Sequence, residues 1–495
     1  MGINVYLTVT SFVFFIFEKF KIPMNRRKFF RNGTLFTLGT AIINPFESSA
    51  NSLDNSIEFK GKKAKNIIVL VSDGMSSGTL NMADIHLNRK NGKGSNWLNL
   101  YRENKVTRAL MDMASASSVV TDSAAASSSW GSGFRVKNGA LNVGTNGEEY
   151  LPIWQKFKKA GKMAGCVTTV PITHATPAGF CVNSKSRNSQ ADIAESYLNL
   201  NFDVMMGGGQ QYFDANSRKD KKDLYAAFQL KGYQVVKTRN EMLSISNDKP
   251  ILGLFFEDGL PYSIDRENIK DLGNTIPTLA EMTQKAIDRM KDHKKGFVLQ
   301  VEAGKVDWAA HANDIAGLLY DQVAFDEAVK VAIDFAEKDK ETLVIITTDH
   351  GNANPGLIYG KNVNDHFDSV QHHKHTNEWI LNGFTPESTL AQIKERIEFA
   401  NGFALTDDEA KTILSYYSNL QKQDDGLYNY KNLPFKTFAE MQKSRTSVGW
   451  ISMDHSADYT ELAMFGPGSE KLKPFIKNTD LHYFMLEAAE VENKF

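Results

Sequence analysis

The chain has 495 residues, enough for one large α/β domain with insertions or for two to four smaller domains. Its 42% hydrophobic and 23% charged residues are ordinary for a globular protein and exclude a wholly disordered, collagen-like or coiled-coil chain. The 57 Lys and Arg residues nearly balance the 58 Asp and Glu residues, so the basic field typical of general nucleic-acid binding is absent. Because Cys166 and Cys181 are the only cysteines, a metal site must use His, Asp and Glu; whether the two cysteines pair stays open.

The first fifty residues have the pattern of an export signal. Residues 4–17 form an apolar run that is shorter than the roughly 20 residues needed to span a bilayer. The pair Arg26-Arg27, a mild apolar stretch and small residues at 48–50 follow, and this order resembles a twin-arginine signal that starts at Met24 or Met1. We therefore expect residues 1–50 to direct export to the periplasm or medium, and the mature chain to lack a stable membrane span. A chance arginine pair on an amphipathic helix is the alternative.

The rest of the chain alternates strand and helix patterns. Continuous apolar runs are typical of strands buried on both faces of a parallel sheet, and they occur at 66–72, 163–170, 203–206, 297–301, 343–348 and 461–465. Between two of them, residues 323–336 repeat apolar side chains with helical spacing. This alternation predicts an α/β fold, a three-layer sandwich with a central, mostly parallel sheet. Residues 363–447 are helical and polar and break the alternation, so we expect an insertion there, between catalytic-domain segments 51–362 and 448–495.

Potential metal ligands recur near the ends of the predicted strands, where α/β folds bind their ligands. Asp73 follows the first run and precedes Gly74, although a simple Asp-Gly turn would also explain this pair. Asp349 and His350 follow a later apolar run in the same way. Packing requirements alone would hardly place two adjacent residues of metal-ligand type at the end of a strand. His455 precedes the last run and by itself indicates little.

The segment after residue 301 adds three more ligand-type residues. Asp307 and His311 are four residues apart on one face of a predicted helix, which suits chelation of a divalent ion; an ordinary surface pair is the alternative. Glu302 precedes them at the strand end. Carboxylates and imidazoles together favour zinc with a harder ion such as magnesium nearby. Two such metals can hold a phosphoryl group between a nucleophile and a leaving oxygen.

Ser123 is the candidate nucleophile. It follows a strand-like lead at Val120 and begins a predicted helix of small residues. Backbone N–H groups and the helix dipole favour an anion at such a position, which suits a hydroxyl that must ionise and attack phosphorus. A serine that only caps the helix is the alternative.

In this order, the segments resemble those of the alkaline phosphatase family. Residues 121–125 are similar to the family's nucleophile motif, and its metal-binding segments are similar to residues 66–75, 297–311, 343–351 and 454–460. The similarity covers residues 65–362 and 448–468. It implies hydrolysis of phosphate monoesters, with broad specificity, through a covalent phosphoseryl intermediate. It also implies two zinc ions and one magnesium ion per chain, and a homodimer.

The resemblance also implies residue roles by position. Ser123 would be the nucleophile, Arg187 would bind two phosphate oxygens, and Asp122 would orient that arginine. The implied ligands are Asp307, His311 and His455 for the first zinc, Asp73, Asp349 and His350 for the second, and Asp73, Glu302 and Thr176 for magnesium.

Two positions depart from the best-known bacterial pattern, and both would act beside the metals or the phosphate. His174 stands where many bacterial members have Asp, and Trp308 where they have Lys, which leaves open the third metal and the strength of phosphate binding. The insertion at 363–447 resembles in position the family's crown, which caps the active-site mouth or the dimer interface. We expect residues 372–375 within it, His-His-Lys-His, to form a solvated loop rather than a metal site.

Other functions remain as alternatives. A phosphodiesterase or sulfatase of the same superfamily is one, but residues 123–127 lack the sulfatase motif, and many of the diesterases use Thr as the nucleophile. Arg187 favours a monoester because it would pair with the extra negative charge. A non-catalytic, exported metal-binding protein is the other alternative, and it would not need Ser123 or Arg187.

Overall fold

The computed structural model describes residues 59–423 and 426–493. The predicted export signal at 1–50, including Arg26-Arg27, therefore lies outside the described residues. Within the described ranges, no helix is both long enough and apolar enough to cross a membrane.

The strands of the described residues belong to one large sheet and two small ones. In chain order they are β1 (Asn66–Ser72), β2 (Thr107–Asp112), β3 (Met163–Pro171), β4 (Val204–Gly208), β5 (Gln234–Val236), β6 (Ile251–Leu254), β7 (Phe297–Ala303), β8 (Thr342–Thr347), β9 (Gly351–Asn352), β10 (Gly356–Leu357), β11 (Val448–Gly449), β12 (His455–Ser456), β13 (Thr460–Phe465) and β14 (Phe475–Lys477). Ten of them form the large sheet in the order β14-β2-β13-β8-β1-β7-β3-β4-β6-β5. All neighbours in this sheet are parallel except that β13 is antiparallel to β2 and β8.

The α-helices of the described residues connect and cover these strands. They are α1 (Ser77–Asn91), α2 (Asn96–Arg102), α3 (Ser123–Ser132), α4 (Ile153–Lys159), α5 (Ala175–Cys181), α6 (Gln190–Leu200), α7 (Leu224–Leu230), α8 (Arg239–Ser244), α9 (Ser263–Asn268), α10 (Lys270–Thr275), α11 (Leu279–Met290), α12 (Lys305–His311), α13 (Ile315–Asp339), α14 (Val363–Asp368), α15 (Asn377–Asn382), α16 (Leu390–Asn401), α17 (Asp407–Tyr417), α18 (Phe435–Thr446) and α19 (Asn478–Ala488).

Helices cover both faces of the large sheet. Every residue of β1 is buried, and its side chains alternate between two apolar clusters because successive strand residues face opposite sides. Ile68 and Leu70 pack with residues of α1, α11 and α13, whereas Ile67 and Val69 pack with residues of α3, α4, α5 and α19. The predicted three-layer α/β sandwich is therefore confirmed.

The six apolar runs all form strands of the large sheet, whereas several shorter strands were not predicted. β5, β6 and β14 have only three or four residues, and β2 alternates buried and exposed side chains near the sheet edge. The prediction of a strand-like segment at Val120 is wrong, because that segment has no strand partner and the neighbouring Val119 is 75% exposed.

Helices α14 to α18 occupy most of the segment 363–447, and α15 to α18 have an apolar cluster of their own. Residues 372–375 are only in part the solvated loop that we expected, because His372 and Lys374 are exposed but their two neighbours are not. His373 and His375 are buried, and the Nδ1 atom of His375 lies 2.9 Å from Oδ1 of Asp265. The ligand groups that the described residues form do not include these histidines.

Cys166 on β3 and Cys181 on α5 are buried free thiols in this structure. Their Sγ atoms are 3.7 Å apart, and both side chains pack in the apolar cluster on the α5 side of the sheet. They behave as small apolar residues.

Candidate active site

The predicted ligands meet at the carboxyl edge of the three central parallel strands β8, β1 and β7. The register pairs Val71 of β1 with Glu302 of β7 and with Thr347 of β8. Asp73 and Asp349, which follow β1 and β8, therefore emerge beside Glu302. Parallel strands bring their carboxyl ends to one edge, and this is why residues separated by more than two hundred positions share one site.

The first ligand group consists of Asp307, His311 and His455, with one ligand atom of each within 4.8 Å of the others. The Nε2 atom of His311 is 3.4 Å from Oδ2 of Asp307, and the Nε2 atom of His455 is 3.5 Å from Oδ1 of the same carboxylate. The two Nε2 atoms lie 3.1 Å apart. Helix α12 places Asp307 and His311 on one face, as their spacing predicts.

Backbone carbonyls determine which nitrogen of each histidine faces the ligand groups. The Nδ1 atoms of His311, His455 and His350 lie 2.6, 3.1 and 3.3 Å from the carbonyl oxygens of Met453, Thr121 and Gly351. A carbonyl only accepts hydrogen bonds, so each Nδ1 donates, and a ring in its neutral form directs the lone pair of Nε2 towards the site. The Nε2 atoms of His311 and His455 face each other at 3.1 Å, which suits a cation between them. In metal sites, the nitrogen of a histidine that does not bind the metal usually orients the ring in this way.

The second ligand group consists of Asp73, Asp349 and His350, all buried. The Nε2 atom of His350 is 3.5 Å from Oδ1 of Asp73 and 3.3 Å from Oδ2 of Asp349. Both carboxylate oxygens of Asp73 and one of Asp349 have no hydrogen-bond partner. Burial raises the pKa of Asp73 well above its usual range, and the charges of Asp349 and Asp307 raise it further. A divalent cation would satisfy these oxygens and offset the repulsion, so the residues fit a metal.

The third ligand group consists of Asp73, His174 and Glu302, and shares Asp73 with the second. Thr168 donates a hydrogen bond to Oε2 of Glu302, while Oε1 of Glu302 and the buried hydroxyl of Thr176 have no partner. Oxygen ligands of this kind suit a hard ion such as magnesium. The predicted ligands Glu302 and Thr176 thus both offer free oxygen atoms.

Ser123 is buried at the first residue of helix α3, and its Oγ atom is 3.2 Å from Nε2 of His350. Asp122 is the N-cap, since its Oδ1 atom accepts a hydrogen bond from the N–H of Ala125 at 3.0 Å. The serine is therefore not the capping residue, and its hydroxyl faces the second ligand group. Close contact between α3 and α5 fixes this position, because a side chain at Gly179 would collide with Ser127.

Arg187 lies between Asp122 and His174. Its Nη1 atom donates to Oδ2 of Asp122 at 3.1 Å, and its Nη2 atom donates to Nε2 of His174 at 3.0 Å. Burial lowers the pKa of His174 to about 3, and the charge of Arg187 acts in the same direction, so the imidazole is neutral and accepts this bond. Two partners thus orient the guanidinium beside the site.

Trp308, the second departure from the bacterial pattern, lies next to His174. The two rings meet edge to face with centroids 6.1 Å apart. The buried Nζ atom of Lys305 lies 4.4 Å from the centre of the Trp308 ring on the same helix. An indole therefore occupies a position that a cationic side chain could take.

Several supporting residues were not predicted from the sequence. Asn352 donates from Nδ2 to Oδ1 of Asp307 at 2.7 Å, and Thr168 donates to the carboxylate of Glu302. Gly74 has a φ of +65°, and a Cβ atom there would collide with the carboxylate of Asp307. The Asp73-Gly74 turn that we considered as a simple alternative is therefore also part of the ligand geometry.

Taken together, these features define a class of enzyme. A serine at a helix N-terminus, an oriented arginine and three adjoining groups of metal-type ligands can carry out phosphoryl transfer, because they provide a nucleophile, an anion partner and sites for charge-neutralising cations. The class is that of the metal-dependent phosphate ester hydrolases with an α/β sandwich fold.

Comparisons with known proteins narrow this class to one family. The family model for alkaline phosphatase matches residues 64–491. Alkaline phosphatase 4 of Bacillus subtilis is 33% identical over 426 residues, which cover 84% of this chain and 87% of that protein. Alkaline phosphatase of Escherichia coli is 32% identical, with 61% of this chain and 75% of that protein covered. The crystal structure of Thermus thermophilus alkaline phosphatase has 32% identity and a TM-score of 0.80, with 91% of this chain and 96% of that chain covered. The chain belongs to the alkaline phosphatase family and is a phosphate monoester hydrolase.

Proposed function

We propose that the chain hydrolyses phosphate monoesters through a covalent phosphoseryl intermediate on Ser123. The observation that carries this proposal is the position of the Ser123 hydroxyl, at the start of α3 and 3.2 Å from Nε2 of His350. The first N–H groups of the helix suit the negative charge that develops as the hydroxyl attacks. Arg187 lies near enough to bind the phosphoryl oxygens, and Asp122 and His174 restrict its orientation.

In the proposed reaction, the Oγ atom of Ser123 forms a bond to phosphorus as the bond to the alcohol oxygen breaks. Arg187 holds two oxygens of the phosphoryl group with the two N–H groups of its guanidinium edge. Water then cleaves the phosphoseryl bond, which releases inorganic phosphate and regenerates the hydroxyl. Both steps need the phosphorus in line between attacking and leaving oxygens, so the rigid placement of Ser123 and Arg187 contributes to the rate.

The ligand groups support two zinc ions and one magnesium ion per chain. Asp307, His311 and His455 would hold the first zinc, and Asp349 and His350 the second, with Asp73 shared between the second zinc and magnesium. Glu302 and Thr176 complete the magnesium ligands, and His174 lies close enough to act on that site. When bound, such ions polarise phosphoryl oxygens and stabilise the charge on attacking and leaving oxygens.

Export, assembly and specificity are further parts of the proposal. The arginine pair in residues 1–50 supports twin-arginine export to the periplasm or medium. The relationship to alkaline phosphatases supports a homodimer and broad specificity for small phosphate monoesters. The helices within 363–447 support a crown-like insertion between catalytic segments 51–362 and 448–495.

One set of assays tests the reaction. We expect the purified protein to hydrolyse an aryl phosphate at alkaline pH far faster than a bis-aryl phosphate or an aryl sulfate, and to lose this activity on chelation. A preference for the bis-aryl phosphate would instead favour a phosphodiesterase. Full activity after exhaustive chelation would contradict the metal-dependent mechanism.

A further inference from the structure

A cavity adjoins the candidate active site on the side of the first ligand group. It has a volume of about 620 Å³, within the range of about 300–1,000 Å³ that is typical of small-molecule sites. His311 lines it, together with Trp308 and Met453. Residues 430–435, which precede and begin helix α18, contribute another wall. The cavity thus starts at a metal-type ligand and extends towards the segment 363–447.

The cavity lies where a leaving alcohol must go. In an in-line displacement, the leaving oxygen departs on the side of phosphorus opposite to the nucleophile. Ser123 contacts His350 of the second ligand group, whereas His311 belongs to the first. The alcohol therefore departs towards the first group, and the part of the alcohol beyond its oxygen meets the cavity that His311 lines.

One wall of the cavity offers an accessible aromatic ring, that of Tyr430, with buried apolar side chains behind it. Tyr430 is 36% exposed, and its ring centroid is 4.7 Å from that of Phe435, which is buried behind it together with Leu433. The Tyr430 hydroxyl donates to the carbonyl oxygen of Trp308 at 3.2 Å, which links residue 430 to helix α12. Such a surface favours a flat apolar group, because aromatic pairs add about 0.5–1.5 kcal/mol beyond the burial of their area.

The charged side chains around the cavity disfavour an anionic leaving group. Asp258 and Asp454 contribute two exposed carboxylates, and Glu378, whose pKa burial raises, adds a third acidic side chain, against one ammonium group from Lys431. An added carboxylate or second phosphate on the alcohol would meet this excess of negative charge. Uncharged alcohols would not.

We propose that this cavity is a binding site for the leaving group that gives the broadly specific enzyme a preference for phosphate monoesters of uncharged aromatic or bulky apolar alcohols. The proposal rests on the proposed function, because it assigns the alcohol side of the same reaction. The wall that residues 430–435 provide gives the segment 363–447 a direct role in substrate selection. Tyr430 is the specificity-determining residue, since its ring is the exposed one on the wall that residues 430–435 provide.

Two ligand pairs test the site in the metal-loaded enzyme. Binding is measured by calorimetry with (2-naphthyl)methylphosphonate and methylphosphonate, and kcat/KM is measured with 2-(2-naphthyl)ethyl phosphate and ethyl phosphate. We expect the wild type to prefer the naphthyl member of each pair. Tyr430→Ala should weaken binding and lower kcat/KM about three- to tenfold for the naphthyl ligands only. 4-Carboxybenzyl phosphate should also be a poorer substrate than benzyl phosphate.

Matched variants separate the ring from other effects. Tyr430→Phe keeps the ring and removes the hydrogen bond to Trp308, and Tyr416→Ala removes an exposed ring of α17 that does not line the cavity. Both should retain the wild-type preference within about twofold. Equal losses on naphthyl and small ligands in Tyr430→Ala would overturn the proposal, because they would indicate a structural effect. Hydrolysis without a naphthyl preference would refute this site alone. A naphthyl preference in phosphonate binding without any hydrolysis would refute the proposed reaction and keep the site.

Discussion

Replacement of Trp308 by lysine should make the enzyme bind inorganic phosphate more tightly. The Trp308 ring lies 6.1 Å from the ring of His174, which in turn contacts Arg187 at 3.0 Å. A lysine ammonium about 6 Å from one phosphate charge would attract it by about 3 kcal/mol at an effective dielectric constant of about 20. Partial exposure of residue 308 to solvent screens this attraction, and we expect about 1–2 kcal/mol to remain.

This energy corresponds to an inhibition constant for phosphate that is about five- to thirtyfold lower. Where product release limits turnover, kcat should fall as well. Combining Trp308→Lys with His174→Asp adds an anionic side chain beside Asp73 and Glu302, so the double variant should depend less on added magnesium.

The assay is the inhibition constant for inorganic phosphate at low and high salt, with Trp308→Met as the control. Methionine removes the indole as lysine does and resembles lysine in length, but it has no charge. The lysine variant should bind phosphate more tightly than the methionine variant, and added salt should reduce the difference. Equal inhibition constants for the two variants would refute the reasoning, because they would show that the charge at residue 308 does not act on bound phosphate.

Two further predictions concern the geometry of the site and the stability of the fold. Gly74→Ala should lower metal content and activity, because the added methyl group would collide with Asp307. The control is Gly232→Ala: Gly232 also has a positive φ but has open space around it, so this variant should lower stability only. Similar metal content in the two variants would contradict this prediction. Burial alone would raise the pKa of Asp84, but the hydrogen bonds from Arg102 and the Ser95 N–H, with the charge of Arg102, together outweigh burial and hold the pKa below its usual range. The ion pair between Asp84 and Arg102 therefore contributes its full stabilisation above the usual aspartate pKa of about 3.9. This stabilisation is lost as the pH falls through the lowered pKa of Asp84 in the folded protein. Asp84→Asn should lower the unfolding free energy by about 1–3 kcal/mol at pH 7 and by less near pH 3. Denaturant midpoints of the wild type and the variant at the two pH values measure this. A difference in unfolding free energy that does not change with pH would count against this account.

The parts of the fold that the sequence predicts are those with long, continuous patterns. β1, β3, β7 and β8 are buried on both faces, so their apolar runs could be identified without knowledge of their neighbours. β5 and β6 are too short for such a pattern and are strands only because β6 pairs with β4 and β5 pairs with β6. The Val120 segment shows the opposite error, since an apolar pair without a sheet neighbour stays in a loop.

The residues of the candidate site likewise divide into those that the sequence predicts and those that depend on strand pairing and packing. Asp73, Asp349 and His350 could be predicted because each follows the end of a recognisable strand within three residues, and the rule for strand ends then brings them together. Thr168 could not, because its contact with Glu302 depends on the pairing of β3 with β7. The carbonyl groups that orient the histidines carry no residue signature, since any residue could provide them.

Local sequence also failed where tertiary packing decides the environment. The His-His-Lys-His stretch at 372–375 is polar and predicts a solvated loop, but His375 is buried and its ring stacks on Trp379 with centroids 3.8 Å apart. Asp265, which it contacts, lies 110 residues earlier in the chain. No pattern within residues 372–375 could have indicated this partner.

Identification of the phosphorylated residue during turnover tests the central claim most directly. The enzyme is mixed with a phosphate monoester, quenched in acid and digested, and its peptides are analysed by mass spectrometry. We predict one phosphoryl group on the peptide that contains Ser123, and none on that peptide in the matched variant Ser123→Ala. A phosphoryl group on another residue, or a Ser123→Ala variant that hydrolyses the ester at the wild-type rate, would contradict the phosphoseryl mechanism.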